Sequence, residues 1–228
     1  VKLPAVAIDG PAGSGKSTIA RLLAERLGYI YLDTGAMYRA AALAAKRAGI
    51  LSNDEAGLEA LMSQTEIKFS SDSKGGRIFL NGEDVSGSIR TEEAGMAASV
   101  YSRSPSVRKR LVQIQRKLAE NGGVVMEGRD IGTVVLPDAE VKIFLDANPV
   151  ERARRRALEL RLQGLDVVEK AVLDEVLRRD RQDRERDLAP LKAAPDAVKI
   201  DTTDMDIEGV LAKVISCVKG DKPPGGNA

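Results

Sequence analysis

Residues 10–17 read GPAGSGKS and lie between an apolar run, VAIDG (6–10), and a helical pattern, KSTIARLLAERLG (16–28). The spacing G-x-x-x-x-G-K-[ST], with a strand before it and a helix after it, is one that wraps backbone N–H groups around phosphate oxygens. Its glycines allow the tight turn, and the following helix presents its positive end to the same anion. Lys16 is expected to reach the β- and γ-phosphates, and Ser17 to offer its hydroxyl to Mg²⁺. Gly10, Pro11, Ala12, Gly13, Ser14, Gly15, Lys16, Ser17 and Thr18 therefore form the candidate triphosphate site.

Two further segments project beyond apolar runs. LDTGAMYR (32–39) puts Asp33, Thr34, Tyr38 and Arg39 just past a strand, where ligands of open α/β sheets bind. Arg39 suits a phosphate and Tyr38 suits packing on a sugar or base, unless Thr34 only caps the helix and Tyr38 is only packed. EGRDIG (127–132) follows the apolar VVM, and Glu127 there could act on Mg²⁺ through water. Arg129 and Asp130 are costly to bury unless something pairs with them.

Nine of the ten residues in RRDRQDRERD (178–187) are charged. Such runs usually solvate a helix face. On a helix, however, Arg179, Asp183 and Arg186 stand at i, i+4, i+7 and share one side. ERARRR (151–156) likewise places Arg152 and Arg156 four apart at a helix amino terminus, where positive charge is unfavourable unless anions occupy the space.

The elements that must position these residues alternate. VAIDG, YIYLD (29–33), GVVMEG (123–128), EVKIFLDA (140–147) and AVKID (197–201) read as five buried strands. Helical patterns cover 16–28, 36–49, 104–123, 148–164, 167–187 and 206–218. Ser104 is expected as a cap, Val107, Leu111, Ile114 and Leu118 as an apolar stripe, and Val168, Val172, Val176 and Leu173 as inward-facing. IKFSSDSKGGRIFLNGEDVSG (67–87), with turn signals KGGR and NG, reads as a small antiparallel insertion. Strand–helix alternation implies an α/β fold: a five-stranded parallel sheet flanked by helices.

Composition narrows the chemistry. The 228 residues suit one domain with insertions, and 43% apolar content supports a real core. A net charge of +1 argues against a non-specific nucleic-acid or membrane binder. With no histidine, Ser-His-Asp triads and histidine metal sites are excluded. The single Cys217 is expected in core packing and rules out a disulfide framework. No guanine-reading N-K-x-D occurs, so a GTPase switch is not expected. No run of about 18 apolar residues occurs either, and a soluble cytoplasmic protein is the expectation. No apolar surface stripe demands a dimer, so a monomer is expected.

In these motifs the sequence resembles the bacterial cytidylate kinases, of the P-loop nucleoside monophosphate kinase group. The resemblance rests on IDGPAGSGKST, LDTGAMYR, NGEDVSGSIRTEE, EGRDIGTVVLPDAEVKIFLDA, ERARRR and RDRQDRERDLAPL, in order from Ile8 to Leu191. NGEDVSGSIRTEE belongs to an insertion that separates this family from adenylate kinases. The resemblance implies transfer of the γ-phosphate of Mg-ATP to CMP or dCMP by one P-loop kinase unit, 1–220. It divides that unit into a core (about 1–35, 105–150 and 187–220), an acceptor-binding region (about 36–104, with the β insertion 64–92) and a helical lid (about 151–168). The Pro/Gly-rich 221–228 is expected to be a disordered tail.

By the same resemblance, Ser99, Arg108 and Asp130 would read cytosine, and Arg39 and Arg129 the monophosphate. Asp33, Thr34 and Tyr38 would line that pocket. Arg179 and Asp183 would face the ribose hydroxyls and Arg186 a phosphate. The lid arginines would close over the transferring group. Which of Arg152, Arg155 and Arg156 does so is left open, with Arg152 and Arg156 the candidates. Glu127 stands where relatives often have aspartate, and Ser17 where some have glycine. The rivals are a kinase for another monophosphate or small metabolite, and a non-catalytic ATP-binding regulator.

Overall fold

A central strand of a parallel sheet has both faces covered, so it must be apolar throughout. β1 (Ala5–Asp9) meets that condition up to its last residue: it is buried at every position and apolar except for Asp9 at its carboxyl end. The computed structural model describes residues 2–70, 76–162 and 164–220, and the expected tail 221–228 and part of the KGGR turn lie outside them. β1 sits third in a five-stranded sheet with β2 (Ile30–Asp33), β6 (Val124–Gly128), β7 (Val141–Asp146) and β8 (Val198–Asp201) in the order β2-β6-β1-β7-β8. Every pairing in it is parallel, as expected.

Alternation along β1 builds the two layers. Val6 and Ile8 join Val125, Ile143, Leu145 and Ile200 against α1 (Lys16–Leu27) and α8 (Ile207–Lys219). Cys217 packs at the edge of that cluster. Ala5 and Ala7 face the other side, with Val124, Met126, Ile131 and Val135. Ile131–Val135 form a single π-helical turn after β6. Asp9 continues the Ala5–Ala7 side and so points toward that turn.

A second apolar mass carries the insertion. α2 (Thr34–Arg47) buries Ala36, Ala40, Ala41, Ala42, Ala44 and Ala45, small side chains that let α4 (Glu92–Tyr101) approach closely. β3 (Ile67–Ser70), β4 (Arg77–Leu80) and β5 (Glu83–Asp84) form the antiparallel insertion. α3 (Glu55–Gln64) and α5 (Pro105–Ala119) complete this cluster. Ser104 caps α5 by accepting from the Val107 N–H, as its position suggested. α3 and α4 go beyond the sequence reading. Their signals are the caps Asp54 and Thr91, each followed by acidic residues of a first turn.

α6 (Pro149–Leu162) and α7 (Glu169–Arg184) pack on each other through Ala153, Ala157, Leu160, Val172 and Val176. Val168 does not face inward as expected. It precedes the first turn of α7 and is 70% exposed. No described helix is long and apolar enough to cross a membrane.

Leu111 is fully buried where α5 meets the insertion cluster. Leu111→Ala is expected to lower unfolding stability by about 2–5 kcal/mol, read from a denaturant midpoint; an unmoved midpoint would contradict this packing.

Candidate active site

The carboxyl ends of the strands bring the chemistry together. Asp9 is level with Gly128 across β1–β6, and Asp33 with Glu127 across β2–β6. Neighbouring β1 and β7 send their connections in opposite directions, which opens a crevice at this edge. The loop 10–15 lies there.

That loop has no room for a side chain at Gly10 or Gly13. A Cβ on Gly10 would lie 2.1 Å from the Leu145 carbonyl oxygen, and one on Gly13 2.9 Å from that of Arg152. Gly13 and Gly15 also have left-handed φ values of 77° and 86°. Gly15 occupies the cap position of α1 and supplies no side-chain acceptor to its first N–H groups. Lys16 is buried and its Nζ donates to the Pro11 carbonyl at 3.1 Å. Burial, then the nearby Arg129 guanidinium, push its ammonium down to about 7.

Glu127 closes one side. Its carboxylate accepts from Ser17 Oγ at 2.8 Å and from the Tyr31 hydroxyl at 2.5 Å. Its own carbonyl accepts from Thr34 Oγ1 at 2.7 Å. Burial, then Asp33, raise its affinity for a proton. Tyr31 was absent from the sequence reading, although strand alternation places it on the same face as Asp33. The pair of hard oxygen donors, a hydroxyl and a carboxylate in contact, fits Mg²⁺. No cluster of three histidine, cysteine or acidic ligands exists among the described residues.

The second half of the site is built from ion pairs. Asp33 caps α2 by accepting from the Ala36 N–H and pairs with Arg39, both at 2.9 Å. Thr34 is the first residue of α2 rather than its cap. Arg108 and Asp130 form a buried ion pair, and the Arg108 guanidinium lies 5.8 Å from the Tyr38 ring centroid. Burial raises the Asp130 pKa against the pull of Arg108. The Tyr38 hydroxyl and Arg108 Nη1 are buried with no hydrogen-bond partner among the described residues. Arg129 Nε donates to Asp183 at 2.8 Å, and Arg186 binds the other oxygen of the same carboxylate. Among the described residues Arg179 pairs with Glu175 alone, at 3.8 Å, and burial and Arg129 lower its pKa. Ser99 lies on α4, where its carbonyl accepts from Ser102 Oγ, and has no bond to the Arg108–Asp130 pair.

The arginines of α6 divide. Arg156 is half-exposed and pairs with Glu159 at 3.2 Å. Arg152 is 1% exposed: it clamps Asp180 with both Nη atoms and donates to the carbonyls of Ala147 and of Ala12 in the loop. Arg155 donates to the side chain and carbonyl of Thr202, whose hydroxyl reaches the Ser14 carbonyl. Neither Arg155 nor Thr202 was legible as a loop brace, because these contacts join residues far apart in sequence.

The family model described as cytidylate kinase matches residues 6–220. The chain belongs to the cytidylate kinase family. It is 55% identical to the cytidylate kinase of Citrifermentans bemidjiense over 94% of this chain and 92% of that one. The cytidylate kinase of Pelotomaculum thermopropionicum is 52% identical, covering 94% and 96%. Among solved structures, an uncharacterized protein from Eubacterium ventriosum superposes with a TM-score of 0.51 at 13% identity, covering 96% and 99%. That likeness speaks to the fold alone. The family match spans both halves of the site described above, the loop 10–17 and the ion pairs from Asp33 to Arg186.

Removing one partner of the Arg152–Asp180 pair strands a buried charge. Arg152→Ala is expected to cost about 3–5 kcal/mol of stability, and removing Asp180 as well should recover part of it. Unchanged thermal unfolding of the single variant would contradict this.

Proposed function

We propose that this chain transfers the γ-phosphate of Mg-bound ATP to CMP or dCMP, giving ADP and CDP or dCDP. The observation that carries the reading is a buried carboxylate–guanidinium pair, Asp130 with Arg108, at the same sheet edge as the phosphate loop. Cytosine offers an N4 amino donor beside the N3 and O2 acceptors. Asp130 accepts from N4, and Arg108 donates to the acceptors. Uracil would set its O4 lone pairs against the carboxylate and is disfavoured by an unpaired charge.

The loop 10–18 holds the triphosphate, with Lys16 at its β- and γ-phosphates. Arg39 and Arg129 take the acceptor phosphate, Arg179 and Asp183 the ribose, and Arg186 a phosphate. Tyr38 packs beneath the acceptor, and Ser99 approaches the base from α4. Mg²⁺, held by Ser17 directly and by Glu127 through water, would neutralise charge on the transferring group. Arg156, partly exposed and paired with Glu159 of its own helix, is the α6 arginine that closes over that group, while Arg152 acts through the loop it braces. Both substrates are intracellular polyanions, which places the proposed activity in the cytoplasm.

The acceptor phosphate is ionised at neutral pH, so no general base is required and the lack of histidine costs nothing. In-line positioning and charge neutralisation supply the rate. The surplus of positive charge supports this: burial, then the Arg129 guanidinium, lower the pKa of both Lys16 and Arg179. Two bound polyanions relieve that repulsion.

Lys16→Met is expected to abolish phosphoryl transfer in a coupled ADP-release assay while calorimetry still detects CMP binding; loss of CMP binding would contradict the assignment. Asp130→Ala is expected to shrink the CMP-over-UMP ratio of kcat/KM by about tenfold or more, since a charge-assisted contact to the base is lost. An unchanged ratio would place base reading elsewhere.

A further inference from the structure

Asp9 is the last residue of β1 and the residue before Gly10, yet none of the motifs gives it a role. It is 3% exposed, and both carboxylate oxygens are used. Oδ1 accepts from the Ile131 N–H and Oδ2 from the Gly132 N–H, each at 2.8 Å. Those are the first two N–H groups of the π-helical turn that follows Arg129 and Asp130 directly.

The donors of a turn's first residues normally fall to the residue just before it, and aspartate is among the residues best suited to accept them. Here that residue is Asp130. It sits at the cap position with φ −147° and ψ 27°, its carbonyl accepts from Val134 and Val135, but its side chain makes no capping bond. Its carboxylate is turned to Arg108 instead. The Gly132 N–H that a capping side chain at 130 would reach, and the Ile131 N–H before it, are taken by the carboxylate of Asp9, 121 residues from Asp130 in sequence. Burial pushes the Asp9 pKa up to about 6, and the two N–H bonds are the strongest influences pulling it back down.

Resting on the cytidine-reading role proposed for Asp130, we infer that Asp9 is a positioning residue for acceptor specificity: it caps the 131–135 turn in place of Asp130 and so releases the Asp130 carboxylate to face the base. Without Asp9, the orphaned N–H groups draw the Asp130 side chain back onto its own turn and away from Arg108. Because Asp9 directly precedes Gly10, the same residue fixes the distance between the phosphate loop and the base-reading pair.

The test is steady-state kinetics of Asp9→Asn and Asp9→Ala with CMP and UMP, alongside wild type and Asp130→Ala. Asparagine keeps the shape and one acceptor oxygen, so it decides the matter if the alanine variant does not fold. Expected for Asp9→Asn are a rise of about tenfold in the KM for CMP, a similar fall in the CMP-over-UMP ratio, and a KM for ATP within about twofold of wild type. In an Asp130→Ala background, Asp9→Asn should leave the ratio where Asp130→Ala already put it. A lower unfolding temperature with unchanged KM for CMP and unchanged ratio would make Asp9 a stability residue only and overturn the inference. So would losses of ratio that add in the double variant. A wild-type enzyme that fails to phosphorylate CMP would instead strike the proposed function.

Discussion

A buried charge is tolerated only when something pairs with it, and at the carboxyl edge of this sheet the positive groups outnumber the pairs available. Asp183 serves two guanidinium groups at once, those of Arg129 and Arg186, and its pKa is held low by them against its burial. Arg179 is left with a distant glutamate, and Lys16 with a backbone carbonyl. The arrangement is therefore balanced for a molecule that brings negative charge. Its cost is carried by the fold around it, which must hold like charges together until that molecule arrives.

The loop 10–15 shows how the holding is done. Backbone N–H groups can face a phosphate only if the carbonyls of the same loop are satisfied elsewhere. Three of them are: Pro11 by Lys16 Nζ, Ala12 by Arg152 Nη1, and Ser14 by Thr202 Oγ1. The donors come from α1, α6 and the segment after β8. The same Arg152 binds Asp180 on α7, one residue from Arg179 and three from Asp183. Through one fully enclosed side chain, the loop for one nucleotide is connected to the helix face proposed for the other.

What could be read from the sequence follows the range of each interaction. The parallel sheet was legible because buried strands are short, continuous apolar runs, and VAIDG and KIFLD are of that kind. The phosphate loop was legible because its chemistry is contiguous. α3 and α4 were missed since their apolar faces are interrupted by glycine and alanine, leaving only Asp54 and Thr91 as signals. Val168 was misassigned because a valine before a helix fits the heptad-like spacing without belonging to its buried side. Tyr31, Arg155, Thr202 and Asp9 act across strands or between elements, and no local pattern announces such partners. Helical spacing set Arg179 and Asp183 on one side of the charged run 178–187, but α7 ends at Arg184, so Arg186 reaches Asp183 from beyond the helix rather than from the same face, and the burial of Asp180 against Arg152 has no local signal.

On the proposed reading, discrimination between pyrimidines also follows from which atoms the pairing leaves over. An ionised carboxylate has about four acceptor directions, and Asp130 gives Oδ2 to Arg108 Nη2. The carboxylate's remaining acceptor capacity and Arg108 Nη1, buried without a hydrogen-bond partner among the described residues, then offer the base an acceptor and a donor. That is the complement of an amino group next to a ring nitrogen, and the mismatch of a carbonyl next to a ring N–H. The pair is buried, so water does not soften the mismatch. The ion pair thus does two jobs with one geometry: it makes a buried carboxylate tolerable before substrate binds, and it presents a two-atom edge that fits one pyrimidine and opposes the other.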